Sequence, residues 1–334
     1  MPTALVTGAT GLVGVHVAQR LRKDGWDVRA LVRDPTHAGA LTHMGVQLAA
    51  GDILEPTSFA TAARGCDVVV HTAAAVTPRG GWEAFRRPNI DGTRNAIVAA
   101  ADAKARLVHV SSVAVYGSSA RFDPSGARTS EETILPPIPD DAFYARSKRE
   151  SEELVLQAHR DGRVWATAVR PDVVYGRHDR QFVPRMAKLL QRGFAPLIGD
   201  GSATLAIVHA ENVADGIVRA AVTDAAGGRA YNLANDYDVT VAQFFRLAGV
   251  GMDVTLRVLR IPFGVAKGAL GAFKLVAPVF LGSQFNAVTS ASLDFMSRDN
   301  PFTSARARRE LGWNPPMRPE VGIPDAFRWW LTHH

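Results

Sequence analysis

Tyr144 and Lys148 stand four positions apart in Tyr144-Ala145-Arg146-Ser147-Lys148, which opens a helical pattern running to about His159. That spacing is one helical turn, so the two side chains share a face, about 6 Å apart along the axis. A free phenol titrates near ~10, too high to exchange protons readily at neutrality. An ammonium beside it favours the phenolate and draws that value down, and Lys148 also has the reach for a ribose hydroxyl. Ser112 closes the apolar run Arg106-Leu107-Val108-His109-Val110-Ser111, where its hydroxyl would hold a substrate oxygen beside Tyr144. The three together suit an alcohol–carbonyl interconversion in which a cofactor carries the hydride. Tyr-x-x-x-Lys arises by chance in many helices. It gains weight here from the serine-ended strand and from a glycine turn at the start of the chain.

That turn is Thr7-Gly8-Ala9-Thr10-Gly11-Leu12-Val13-Gly14, between the apolar run Ala4-Leu5-Val6 and a segment with Val13, Val17, Ala18 and Leu21 at helical spacing. Strand, glycine turn and helix present unpaired N–H groups and a positive dipole end to a pyrophosphate. Glycines let the backbone come close, so Gly8, Thr10, Gly11, Leu12 and Val13 are the expected contacts. The second strand, Trp26 to Arg33, ends without the acid that NAD-selective folds place against the ribose hydroxyls. Arg33 can pair instead with a 2′-phosphate, which predicts NADPH over NADH; the alternative is a solvated strand-end arginine. The third strand, Val46 to Ile53, places Asp52 where it could accept the adenine amino group, or serve as an acid ahead of the helix opened by Pro56-Thr57-Ser58. In the continuous apolar strand Asp67 to Ala74, the small Ala73 and Ala74 leave room for a cofactor, and His71 reads as a satisfied strand histidine.

Helices are expected over Arg94–Ala103 and Tyr144–His159, a proline-rich loop over the site between Gly117 and Asp141, and a strand over Val164–Arg170. Strands alternating with helices, most of them apolar throughout, give an α/β fold with a doubly wound parallel sheet. The expected division is 1–172, completed by about 205–240, for the dinucleotide, with 173–204 and 241–334 forming a smaller C-terminal α/β substrate lobe. Residues 261–282 are apolar but carry Lys267, Lys274 and several helix breakers, which argues against a membrane span. Packing against the sheet lobe, a lid over an apolar pocket and a helix lying on a membrane surface stay open, with packing preferred. Ser304 to Leu311 reads as a basic surface helix.

At 334 residues with 47% hydrophobic and 21% charged side chains, the composition is that of a globular enzyme. A net charge of +6 suits an anionic cofactor, while no arginine-rich run with interleaved aromatics points to nucleic acid. Cys66 is the one cysteine, so no intrachain disulfide can form. No signal-peptide pattern precedes the first strand, which makes the cytoplasm the default. No metal-ligand spacing, Walker loop or serine-hydrolase elbow occurs.

Seven ordered segments resemble the extended short-chain dehydrogenase/reductases of the epimerase/dehydratase superfamily. They are Thr7–Gly14, Gly51-Asp52-Ile53, His71–Ala74, Asn89-Ile90-Asp91-Gly92-Thr93, Ser111–Gly117, Tyr144–Lys148 and Arg170-Pro171-Asp172-Val173-Val174-Tyr175-Gly176. The resemblance implies Ser112, Tyr144 and Lys148 as catalytic residues. It puts Asp52 near adenine and Pro171, Val173 and Val174 along the nicotinamide, with Ile53 and Ser111 among the other cofactor contacts. It also implies a homodimer through Arg94–Ala103 and Tyr144–His159. Sugar-nucleotide members carry an asparagine where Val173 stands and an arginine where Leu205 stands, and both hold the anionic substrate. Apolar residues there point to an uncharged substrate. From Arg170 to Asn235 the order is similar to the 3β-hydroxysteroid dehydrogenase-like branch. A nucleotide-sugar epimerase or dehydratase that retains its cofactor, and a non-catalytic cofactor-binding protein, are the alternative readings.

Overall fold

The structure, a computed structural model, describes residues 1–117, 127–265, 268 and 295–334. The chain divides into two compact units. The first comprises Met1–Val174, Val208–Asp236 and Phe302–Met317, and the second Tyr175–Ile207, Tyr237–Pro301 and Arg318–His334.

In the first unit β1 (Thr3–Thr7) leads through the glycine turn into α1 (Leu12–Lys23), followed by β2 (Asp27–Val32), the short α2 (Gly39–His43), β3 (Gln47–Ala50) and α3 (Pro56–Ala63). Then come β4 (Val68–His71), α4 (Gly81–Arg86), α5 (Gly92–Ala103), β5 (Arg106–Val110), α6 (Phe143–Arg160), β6 (Ala166–Pro171) and β7 (Val173–Tyr175). Seven strands form one parallel sheet in the order Ala230–Leu233, β6, β5, β4, β1, β2, β3. Strand alternation explains why these strands are apolar throughout. Ala4 and Val6 face α1, whereas Leu5 faces the layer that holds Phe59, Ala96, Ile97 and Val155.

Several boundaries differ from the sequence reading for physical reasons. The third strand stops at Ala50 because Asp52 turns the chain, its Oδ1 accepting the Leu54 N–H at 2.9 Å. Ahead of α5, Pro88 lies in one turn of π-helix, Arg87–Asp91, that joins α4 to α5 without a loop. A proline removes a backbone donor, and a π turn is one way a helix absorbs that loss. Phe302–Met317, read from sequence as part of the second lobe, packs in the first unit, where Ala307, Leu311 and Trp313 are buried. The basic helix there is therefore a structural strut. Its Arg306 donates to the Ala230 carbonyl at 3.2 Å and pairs with Glu132 at 2.5 Å.

The second unit contains α7 (Phe182–Leu190), β8 (Phe194–Ile198), α9 (Val241–Met252) and β11 (Arg257–Ile261), with β9 (Ile207–His209), α8 (Ala210–Val222) and β10 (Ala230–Leu233) falling between them in sequence. After α10 (Ala305–Glu310) the chain ends in α11 (Pro319–His333), an element without a counterpart in the sequence reading. α11 packs on α9 through Phe327 and Phe244, ring centroids 5.9 Å apart, and β8 pairs with β11. Of residues 261–282, those beyond Val265, apart from Gly268, lie outside the described residues, as do 118–126 of the loop expected over the site. Among the described residues no helix is long and apolar enough to cross a membrane.

The glycine turn is fixed by packing as well as by its opening. A Cβ on Gly14 would lie 2.2 Å from the Gly8 carbonyl oxygen and 2.7 Å from the Ala9 Cα, backbone atoms that have nowhere to go. Gly14 therefore lets α1 sit directly on the turn. Gly14→Ala is expected to cost about 3 kcal/mol, at the upper end of overpacking penalties. A urea unfolding curve superimposable on wild type would contradict this packing role.

Candidate active site

β5 delivers Ser111 and Ser112 to the carboxyl end of the sheet. Ser112 has an extended backbone and caps the single 3₁₀ turn Val113–Tyr116, its Oγ accepting the Ala114 N–H at 3.2 Å. α6 begins at Phe143 and presents Tyr144 and Lys148 to the same place. Tyr144 lies beside Ser112, close enough for the serine to lower its phenol, and the Lys148 ammonium, 3% exposed, donates to the Val110 carbonyl at 2.6 Å. All three residues predicted from sequence thus meet at the end of β5.

Their electrostatics differ from the expectation. Burial raises the Tyr144 phenol, and the neighbouring Ser112, rather than the lysine, is what opposes that rise. Lys148 is directed at the Val110 carbonyl, and burial lowers its own ammonium to about 8 against the pull of Glu152. Glu152 is itself gripped by Arg170, with Nε at 3.0 and 3.2 Å and the second nitrogen at 2.5 Å. Arg170 also donates to the Tyr116 hydroxyl at 2.7 Å, which donates to Asn232 at 2.9 Å. A satisfied buried network of this kind fixes the strand end and α6 relative to each other.

The cofactor residues fall into two groups. At the turn, α1 starts at Leu12 with Gly11 as its N-cap and no side-chain cap, so its first N–H groups are left for a ligand. Thr10 and Gly11 are exposed, and Leu12 and Val13 half-buried. Gly8 has φ +64°, and a Cβ there would meet Thr72 at 2.7 Å and Ala73 at 2.8 Å. The collision is with the end of β4, which Thr72 ties to β1 by donating to the Thr7 carbonyl at 2.7 Å. Ala73 and Ala74 follow, half-buried. At the far end, Arg33 and Asp52 line one cavity of about 990 Å³ together with Arg29, Gly51, Ser58 and Arg64. One Asp52 oxygen is engaged by the Leu54 turn, whereas α3 has Glu55 as its N-cap and no acid in its first turn, so Asp52 turns the chain rather than serving as the acid at that helix start. Ile53 packs by its side chain against Gly92. Ser111 is buried, with an Oγ that has no hydrogen-bond partner among the described residues. Pro171 ends β6, with Val173 and Val174 half-buried beyond it. An uncapped helix start, a glycine turn and a basic cavity past β2 and β3 fit a dinucleotide. Leu205, paired with Val173 in the sequence argument, is buried in the second unit.

Asn89, within the Asn89–Thr93 motif, has a role that its sequence context does not reveal. Buried in the π turn, it donates to the Ala75 carbonyl at 3.0 Å, accepts the Ala75 N–H at 2.7 Å and donates to Ser147 Oγ at 2.9 Å. Ser147 donates in turn to the Tyr144 carbonyl at 2.9 Å. Asn89 therefore clamps the segment after β4 to the first turn of α6. His71, read as a satisfied strand histidine, is only half so: Nδ1 bonds Thr7 Oγ1 at 2.9 Å, and Nε2 has no partner among the described residues. Asn89→Leu would strand both Ala75 groups and is expected to cost about 2 kcal/mol. Unchanged stability in urea would contradict the clamp.

The model of the NAD dependent epimerase/dehydratase family matches residues 4–234. A ketoreductase of Stigmatella aurantiaca, named for 4-hydroxy-2-methyl-3-oxo-4-farnesyl-3,4-dihydroquinoline-1-oxide, is 29% identical over 324 residues, covering 97% of this chain and 95% of that protein. The decarboxylating sterol-4-alpha-carboxylate 3-dehydrogenase of Dictyostelium discoideum is 25% identical over 332 residues, 97% of this chain and 100% of that one. The crystal structure of gox2253 superposes with a TM-score of 0.79 at 26% identity, covering 100% of this chain and 99% of that one. The chain belongs to the NAD-dependent epimerase/dehydratase family, as an extended short-chain dehydrogenase/reductase close to the 3β-hydroxysteroid dehydrogenase branch.

Proposed function

We propose that the protein interconverts a ketone and a secondary alcohol on a largely apolar small molecule, with NADP(H) preferred. That it is an NAD(P)-dependent oxidoreductase follows from the family and its named reductases and dehydrogenases. The observation carrying the finer reading is that Ser112 and Tyr144 come together at the end of β5, close enough for the serine to lower the phenol, with the Lys148 ammonium buried on the same helix. The bound nicotinamide would supply or accept the hydride. In reduction, Ser112 holds the substrate oxygen and Tyr144 gives its proton to it. Lys148, held on the Val110 carbonyl, keeps a positive charge in the site and has the length to reach a ribose hydroxyl of the dinucleotide. The Gly8–Val13 turn with Ala73 and Ala74 would carry the dinucleotide, and Ser111, Pro171, Val173 and Val174 would border its nicotinamide end. Val173 in place of an anion-binding asparagine favours an uncharged substrate. We assign the dinucleotide to 1–172 with about 205–240 and 302–317, and the substrate lobe to 173–204, 241–301 and 318–334, in a cytoplasmic homodimer.

Three outcomes check this reading. Tyr144→Phe should lower turnover by a factor on the order of hundreds while NADPH binding, read by fluorescence, is kept. Tyr144 stays protonated because burial raises it, whereas the Lys148 ammonium is lost from about 8 upward. The kcat/KM for ketone reduction should therefore fall as pH rises through 8, and a flat profile to pH 10 would contradict the role of Lys148. Arg33→Ala should lower kcat/KM for NADPH about tenfold and leave NADH nearly unchanged. Equal efficiency of wild type with NADH would remove Arg33 from cofactor choice.

A further inference from the structure

Ser112 has one hydrogen-bonding task inside the protein. Its Oγ accepts the Ala114 N–H at 3.2 Å, which leaves the hydroxyl proton for Tyr144 or a substrate oxygen. The direction of that hydroxyl is therefore set by the 3₁₀ turn Val113–Tyr116 that Ser112 caps. A single turn is a weak support, because 3₁₀ hydrogen bonds are poorly aligned. Here the Val115 N–H reaches the Ser112 carbonyl at 3.2 Å and the Gly117 N–H reaches the Ala114 carbonyl at 2.9 Å. Something outside the turn has to hold it still.

Arg149 does so from α6. It follows Lys148 in the chain, and its Nε donates to the Val115 carbonyl at 2.9 Å, with Nη2 on the same oxygen. Nη1 donates to the Pro136 carbonyl at 2.6 Å. Arg170 spends its charge on Glu152, whereas the described hydrogen bonds of Arg149 all go to main-chain carbonyls. One planar fork thus ties the turn to the segment Leu135-Pro136-Pro137. That segment is stiff, since prolines fix their own φ and restrict the residue before them. Leu135 packs on the buried cluster of Val113, Val115, Tyr116, Ala234 and Phe302, and the Tyr116 ring stacks on Phe302 at 5.6 Å between centroids. The turn is clasped between an apolar cluster and a guanidinium.

Tyr144 lies five positions before Arg149 on the same helix, a rise of ~7.5 Å. Resting on the Ser112–Tyr144 reading, we propose that Arg149 is a positioning residue: by bridging the Val115 and Pro136 carbonyls it fixes the Ser112 hydroxyl at the distance from Tyr144 that a substrate oxygen requires. Both members of the pair are then referenced to one rigid helix. Arg149 touches no reacting atom and acts only through Ser112. A lysine there, with a point charge in place of a fork, could hold one carbonyl but not span the two.

A double-mutant cycle with Ser112 tests this in the full-length enzyme, with ketone reduction by NADPH as the readout. Ser112→Ala alone should lower kcat by a factor on the order of a hundred. Arg149→Met should lower kcat about tenfold and leave the KM for NADPH within about threefold. Arg149→Lys should recover part of that loss. In the Ser112→Ala background, Arg149→Met should change kcat by less than about twofold, because the group it acts through is gone. A full tenfold loss in that background marks a general structural role and overturns the proposal, as does wild-type kcat in Arg149→Met. If Arg149→Met does not fold, Arg149→Lys and Arg149→Gln, which each keep a donor, go through the same cycle on the same criterion. Wild-type turnover of Ser112→Ala would remove Ser112 from the chemistry and this proposal with it. A slowed Ser112→Ala with an additive Arg149 effect would remove the positioning role alone.

Discussion

A single cation taken out of water sets the terms for this site. Lys148 is buried at the junction of α6 and β5, with its ammonium on the Val110 carbonyl at 2.6 Å. Burial of that kind is unfavourable by itself, and the surrounding structure offsets it with oriented polar groups. α6 must be held tightly for the arrangement to persist. Val155 and Ala158 anchor it in the core, Glu152 binds Arg170 of β6, Arg149 donates to the Val115 carbonyl at 2.9 Å, and Ser147 is held by Asn89. The same contacts place Tyr144 against Ser112.

The other half of the site depends on close approach. Gly14 brings α1 onto the turn, Gly8 brings the turn onto the end of β4, and the first helical N–H groups are left uncapped. Asn89 then joins the β4 end to α6, so the glycine turn and the Ser112, Tyr144 and Lys148 cluster belong to one packed body within the first unit. In the proposed reaction, hydride transfer would need its reacting atoms held within a fraction of an ångström, and this connection would serve that need.

Much of this was legible in the sequence because the signals are local. A glycine turn between an apolar run and a helical pattern, a strand closing on two serines and a tyrosine one turn before a lysine all specify themselves within a few residues. What escaped were properties of the assembled interior. The phenol was expected to be lowered by Lys148. Instead burial dominates, and the lysine points to Val110, because desolvation depends on what packs around both groups. Asn89 was visible as a motif, but its clamp needs the π turn, which Pro88 makes legible only in retrospect. The helix at Ala305–Glu310 looked like surface from its arginines, yet those side chains bind carbonyls and carboxylates of the first unit while Ala307 is buried. His71 and His109 are ordinary strand residues until the register places them opposite each other.

The central claim is that the end of β5 carries a carbonyl reductase site, in which hydride comes from the nicotinamide and the proton from Tyr144. The most direct measurement is a single turnover with NADPH deuterated at the transferable C4 position and an apolar ketone, followed by mass spectrometry of the product. One deuterium on the new carbinol carbon, with one cofactor oxidised per alcohol formed, is the predicted result. An alcohol without the label, or conversion of a nucleotide sugar with no net cofactor oxidation, would contradict the account.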